Sequence, residues 1–496
     1  MQLRRLTIHS TALLSLALGG CLGDDDRPVR VLVIGEPGTI FASGPRLPLA
    51  AQTLRAASIE GLVAFDAQGR VAPALADRWI VTDDGLSYIF RLRDGTWPGG
   101  SPITGESAKA ALNQAIGQQR DQPLGADLAV IDEVRAMAGR VIEIRLKRQM
   151  PDLLQLLAQP ELGLAAGGRG TGPMKSKRDS SKELGLSGVL FKPIAPEDRG
   201  LPPEEGWSDR VQPVQLSAVS AAKAIALFNA GEAELVLGGT LADFPRLAAA
   251  SVSGGAIRFD QVAGLFGLAV VRDEGFLAEP ENREALAMAI DRDALIAAVN
   301  LSGWTATTRV LNPGLEGDSG AIGERWAGRS IEDRRASAAA RVASWKGGKG
   351  TAPVLRIALP AGPGADLLFK RLSDDFKAIG LDARKVPIAA DADLRLVDTV
   401  ARYAQPAWFF NQLSCANARA LCSTSADALF VKAQTEADPA KRADLLGDAE
   451  AQLTKANSYI PFGVPIRWSL VAGGTNGFAV NRLGVHPLMP LALLPK

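Results

Sequence analysis

Residues 59–116 read IEGLVAFDAQGRVAPALADRWIVTDDGLSYIFRLRDGTWPGGSPITGESAKAALNQAI. Within this stretch Leu86, Tyr88, Phe90 and Leu92 alternate with Ser87, Arg91 and Arg93, the period of a strand with one buried face. Asp84-Gly85 and Asp94-Gly95 bracket that strand as tight turns, because glycine accepts positive φ without steric cost. After Trp97-Pro98-Gly99-Gly100, Thr104 is placed to cap a helix with Glu106 in its first turn. Ala108, Leu112, Ala115 and Ile116 then share one helical face. Taken alone, the stretch predicts strands and turns followed by a helix.

The wording carries more than the periods do. An EGL, an FD-x-x-G turn, P-A-L-A-x-x-W, D-D-G-L-x-Y-x-F-x-L-R-D-G and a closing S-P-I-T-x-E-S follow one another in order. The phrase resembles the extracytoplasmic solute-binding proteins of ABC importers, in the oligopeptide, dipeptide and nickel family. A second phrase, ENREALAMAIDRDALIAAVN at Glu281–Asn300, resembles that family's R-x-A-L-x-x-A-I-D-R over Arg283 to Arg292. The resemblance implies an α/β, two-lobed periplasmic-binding-protein-like fold (a Venus flytrap) with a discontinuous first lobe. It also implies a non-enzymatic, monomeric receptor that closes on a peptide or other small solute and passes it to an ABC permease. The expected layout is lobe one at residues 29–270 and 458–496 and lobe two at 271–457.

Working outward, the N-terminus has the features of an export leader: Arg4-Arg5, an apolar run from Thr11 to Leu18, and Gly19-Gly20 before Cys21. The apolar run is shorter than the ~18–20 residues that span a bilayer. Leu18-Gly19-Gly20-Cys21 resembles a bacterial lipobox, which implies a signal peptide at 1–20, acylation of Cys21, a solvated tether at 21–28 and residence in the periplasm or cell envelope. An ordinary secretory leader with an incidental cysteine is the alternative. The whole chain of 496 residues carries 55 basic and 54 acidic side chains, so neither charge nor any long basic run points to nucleic acid. Its 47% hydrophobic content suffices for large cores.

Further along, Val29 to Ile34 reads as the first buried strand of lobe one, and Gln118 to Gly125 as a polar loop. Gly167 to Lys177 lacks the order of a phosphate-binding loop. It resembles the family's G-T-G-P-Y turn into a central strand, with Met174 in place of the aromatic. Leu265 to Val271 is an uninterrupted apolar strand, and Lys346 to Gly350 reads as a flexible loop. Tyr459 to Trp468 is extended by its prolines and fits the return crossing to lobe one.

Residue supply excludes most catalysis. His486 is the sole histidine beyond the leader, and H-E-x-x-H, C-x-x-C and G-x-S-x-G are all absent. No metal, cofactor or catalytic residue is expected, and His486 is assigned a structural or surface role. An envelope hydrolase using two distant carboxylates, and an envelope sensor or scaffold of the same fold, are the alternatives to a transport receptor. Cys415 and Cys422 lie seven apart in an exported chain and are expected to be joined.

Recognition is expected between the lobes, where binding sites concentrate. By the resemblance, Tyr403, Gln405, Trp408 and Asn411 supply ligand contacts, with core packing the alternative for Tyr403, Trp408 and Phe409. Peptide-binding relatives carry an acidic D-x-D-P-like pattern there that pairs with the ligand's α-amine, whereas this chain reads RYAQPAW from Arg402. Simple peptides are therefore expected to bind weakly, and a neutral or capped solute to pack on Tyr403 or Trp408. On that reading Trp408→Ala weakens binding by more than about tenfold and leaves the fold intact.

Overall fold

The computed structural model describes residues 27–495 apart from 182–185, 302, 319, 321, 350–353 and 418–420. The leader, Cys21 and the tether as far as residue 26 lie outside the described residues.

Continuous apolar runs become strands buried on both faces. Val29–Ile34 lies between Val214–Val219 and Leu235–Gly239, parallel to both. These belong to a seven-stranded sheet in the order Met174–Ser181, Leu186–Pro193, Val214–Val219, Val29–Ile34, Leu235–Gly239, Arg467–Val471, Ile257–Asp260. A five-stranded sheet runs Asp382–Pro387, Val354–Leu359, Leu394–Val400, Gly264–Val270, Tyr459–Gly463. A separate four-stranded antiparallel sheet holds Ala76–Val81, Ser87–Leu92, Val141–Leu146 and Ile131–Ala136.

The first sheet draws on both ends of the chain, and the second on the part between them. The chain passes from one to the other at residues 261–263 and returns at 464–466. Gly264–Val270 and Tyr459–Gly463, which the expected boundaries after Val270 and Asn457 assign to lobe one, both pair within the five-stranded sheet. Gly264–Val270, with all seven residues buried, is antiparallel to Leu394–Val400 and Tyr459–Gly463. An all-apolar strand reads alike in either sheet, and only its pairing partners decide.

The opening stretch organises its surroundings through specific bonds. Thr104 Oγ1 accepts from Ser107 N at 3.1 Å while Ser107 Oγ accepts from Thr104 N at 3.0 Å, a reciprocal cap for helix Gly105–Gln118. Trp97 Nε1 donates to the same Ser107 Oγ. Buried Glu60 accepts from Arg93 and, at 3.0 Å, from Arg199. In the second phrase Arg283 donates to the carbonyls of Leu277, Ala278 and Ala456, and Arg292 to that of Pro461. These two arginines tie helices Pro280–Ala289 and Arg292–Val299 to the returning chain.

Three local expectations change. Gln118–Gly125 is not wholly loop, because Pro123 starts a short helix, Pro123–Leu128, burying Leu124 and Leu128. The Lys346–Lys349 segment continues helix Ile331–Lys349. Trp345 is held edge-on to Phe276 at 5.6 Å and Lys346 Nζ donates to Gly380 O at 2.6 Å, which outweighs two helical glycines at about 1 kcal/mol each. Met174 is buried, but its strand lies at the edge of the seven-stranded sheet rather than its centre. Before it, a Cβ on Gly172 would stand 2.4 Å from Ser58 C, so the glycine permits close approach to the end of helix Leu49–Ser58, just before the opening stretch.

Cys415 and Cys422 form a disulfide with Cα atoms 5.0 Å apart. Its loop is short, so reduction is expected to cost ~2–3 kcal/mol or less. Urea unfolding with and without reductant measures this, and a larger loss would show that the bridge anchors more than its own loop.

Candidate functional site

Where the two sheets meet, a cavity of about 480 Å³ is lined from both sides, within the usual size for small-molecule sites. Ile34, Leu237 to Thr240 and Arg467 to Ser469 come from the seven-stranded sheet and its strand ends. The strand Leu394–Val400 and the residues after it contribute Asp398 to Arg402. Trp468 forms part of the wall and donates from Nε1 to Thr240 O at 2.9 Å. A Cβ on Gly239 would lie 2.0 Å from the indole, so only glycine lets this ring lie against the backbone there.

The cavity's ionisable groups are largely matched. Arg467 Nη1 donates to Asp398 Oδ1 at 2.7 Å, joining one sheet to the other beside the return crossing. Asp260 Oδ2 faces His486 Nε2 at 2.9 Å, and Asp260 Oδ1 accepts from Asn481 N at 2.9 Å. Phe478 stacks on His486 with centroids 4.6 Å apart. His486 thus fastens the C-terminal segment to the last residue before the first crossing, a buried structural role on the cavity wall. Glu161 and Arg402 also line the cavity and, among the described residues, are not paired with each other or with another charge by contact.

Tyr403, Gln405, Trp408 and Asn411 stand elsewhere. None of the four is in the cavity lining. Tyr403 is buried, and its Oη donates to Asp127 Oδ1 at 2.8 Å. Asn411 Nδ2 donates to the same oxygen at 2.7 Å. Trp408 is 0% exposed, edge-on to Phe409 at 5.0 Å. Gln405 precedes Pro406 at the start of helix Pro406–Leu413. Tyr403 and Trp408 are thus packed in the core, Asn411 is bonded to Asp127, and the four residues lie outside this cavity's lining. The aromatic face of this helix is covered by Pro123–Leu128 and by Phe430, which stacks on Phe410 at 4.9 Å. Arg402, just before this run, is the member that reaches the cavity.

Asp127 makes this contact sensitive to pH. Burial pushes its carboxyl up to about 6, against the opposing hydrogen bonds of Asn411 and Tyr403 and the charges of Arg402 and Arg148. An unfolded aspartate titrates near ~3.9. The folded state therefore holds this proton to higher pH, and the stability it contributes is lost as pH rises from ~4 to about 6. Asp127→Asn keeps an oxygen acceptor for Tyr403. It is expected to match the parent at pH 4 and to exceed it by ~1–2 kcal/mol at pH 7.5, read from urea midpoints. An equal deficit at both pH values would refute the sign.

The family model for bacterial extracellular solute-binding proteins, family 5 middle, matches residues 70–186 and 206–419. The probable deoxycholate-binding periplasmic protein YgiS of Escherichia coli K12 is 31% identical over 145 residues, 26% of this chain and 27% of that protein. The E. coli nickel-binding periplasmic protein is 35% identical over 103 residues, 20% of each chain. The chain thus spans about a quarter or less of the length of these curated relatives. Haemophilus influenzae OppA in complex with RPPGFSPFR shares the fold at a TM-score of 0.79, with 16% identity over 95% of this chain and 100% of that one. The E. coli murein tripeptide binding protein MppA gives a TM-score of 0.79 and 16% identity over 95% and 99%. These structures are two-lobed α/β receptors, and the matched proteins are binding proteins rather than enzymes. No helix among the described residues is long and apolar enough to cross a membrane. With a family match over more than half its length, the chain belongs to the family 5 bacterial extracellular solute-binding proteins.

Proposed function

We propose that this chain is the lipid-anchored receptor of an ABC importer, a monomer that closes its two lobes on a small solute and presents it to a membrane permease. The observation that carries this reading is the cavity at the crossings, lined from both sheets and bordered by the Asp398–Arg467 pair that joins them. A solute bound there touches both lobes, so its binding energy favours the arrangement in which they are together. The seven-stranded sheet and its attached segments form lobe one, and the five-stranded sheet forms lobe two. Acyl chains on Cys21 hold the receptor at the membrane, each buried CH₂ contributing ~0.8 kcal/mol.

Two measurements test the reading. A thermal-shift screen of the purified chain against peptides, sugars, organic acids and metal chelates should give saturable stabilisation by at least one class, since ligand binding to the folded state raises its stability. No binder in any class would sink it. Intact mass of protein extracted from membranes should show a chain starting at Cys21 with added acyl mass, and Cys21→Ser should release it into the soluble fraction. A Cys21→Ser variant that stays membrane-bound would remove the anchor from the proposal.

A further inference from the structure

The cavity's charges, sorted by partner, leave one acid and one base over. Asp260 is taken by His486 and Asn481, and Asp398 by Arg467. Glu161, on the turn Pro160–Leu162 of lobe one, is 5% exposed. Its Oε1 receives only a long 3.4 Å bond from Gln52 Nε2, and its Oε2 is buried with no hydrogen-bond partner. Arg55 acts on Glu161 through space, but its guanidinium donates instead to the carbonyls of Pro160 at 2.7 Å and Gly163 at 3.0 Å. On the other wall, Arg402 makes no hydrogen bond or ion pair among the described residues. Asp127 acts on it through space, yet that carboxylate's Oδ1 is occupied by Tyr403 and Asn411.

A buried carboxylate oxygen without a donor costs the full desolvation of that group. Arg402, a residue of the cavity wall without a hydrogen-bond partner among the described residues, is likewise short of the bidentate acceptor its fork is built for. Both deficits end when a solute supplies the missing partners. We propose that the solute carries an anionic group, carboxylate or phosphate, that seats on Arg402, and an N–H or O–H donor that seats on Glu161. The solute then pairs with lobe two through its acid and with lobe one through its donor. An ammonium placed against Arg402 is repelled, so a free peptide fits only with its carboxylate at that wall.

This inference deepens the receptor reading and rests on it, and one experiment separates the two. Compounds of four charge classes are titrated calorimetrically at pH 7.5: N-acetyl amino acids and sugar phosphates, free amino acids and dipeptides, N-acetyl amino-acid amides and disaccharides, and amino-acid amides. Saturable binding is expected only from compounds bearing a carboxylate or phosphate. Arg402→Ala should weaken the tightest of them by about 30-fold or more, with partial recovery in Arg402→Lys. Glu161→Gln should weaken donor-bearing zwitterions more than their N-acetylated forms. Thermal midpoints of the unliganded variants confirm that each remains folded. Binders confined to the neutral or cationic classes, or anionic binders indifferent to Arg402→Ala, overturn the charge assignment and leave the receptor reading standing. Failure of all four classes overturns the charge assignment, and the receptor reading falls with it only when metal chelates fail in the thermal-shift screen as well.

Discussion

Trp408→Ala is expected to remove ~3–5 kcal/mol of stability, the range for deleting a buried tryptophan from a packed core. The indole is 0% exposed and belongs to a cluster that runs from the four-stranded sheet through helix Pro123–Leu128 into helix Pro406–Leu413. Its removal leaves a void that Phe409, fixed edge-on at 5.0 Å, cannot fill without leaving its own contacts. Trp408→Phe should recover more than half of the loss, because most of the buried surface is kept. Circular-dichroism melts and urea titrations read the change, and the affinity of the folded fraction for any solute should stay within about threefold, since the ring does not line the cavity. A variant that keeps its stability and loses solute binding tenfold would return Trp408 to the site.

That reversal shows where sequence reasoning succeeds and where it stops. Local signals were legible: the alternation at Leu86–Leu92 is a strand, and Thr104 caps its helix. The two ordered phrases carried the fold class. The burial of Tyr403 and the short helix starting within Gln118–Gly125 escaped the sequence together. Polar residues dominate that segment, so its short helix is hidden, and the helix is what covers Tyr403 and Asn411 through Asp127. Pro123 followed by Leu124 and Leu128 was the available sign, a proline at the first helical position with an i, i+4 apolar pair. Expecting a neutral solute on Tyr403 or Trp408 also passes over Arg402, the residue that does line the cavity.

The cavity's own charges were beyond reach for a different reason. Asp260 and His486 are 226 residues apart, and Asp398 and Arg467 are 69 apart. No local period or spacing relates such pairs, and each member alone looks like an ordinary surface or loop residue. Only the two crossings bring them together, and the strand pairing that fixes the crossings is itself ambiguous for an all-apolar strand such as Gly264–Val270. The fold could be inherited from wording, whereas the site had to be assembled by topology.

A second large effect is expected from Arg309→Ala, at a residue outside the cavity lining. Arg309 forks between two acids, donating to Asp318 at 2.8 and 2.9 Å and to Glu450 at 2.7 and 3.3 Å. The side chains of Arg309, Asp318 and Glu450 are 7%, 9% and 1% exposed. Glu450 also accepts from Leu311 N at 3.2 Å, so it locks helix Pro439–Ala456 to the segment after Arg309. Removing the guanidinium strands two buried carboxylates, for which ~3–5 kcal/mol is the usual loss. The pH dependence identifies the cause. Hydrogen bonds from Arg309 hold the Asp318 carboxyl below its ordinary range, while burial already raises that of Glu450. Without Arg309 both should titrate higher, so the folded variant binds protons that the unfolded chain has released. The deficit is therefore expected to be largest near pH 8 and to shrink as pH falls toward 5. Replacing all three residues together with apolar side chains of similar volume should restore most of the stability, because no charge then remains buried alone. A deficit that is the same at pH 5 and pH 8, and that the triple replacement leaves in place, would mean that Arg309 acts through packing of its stem rather than through its charge.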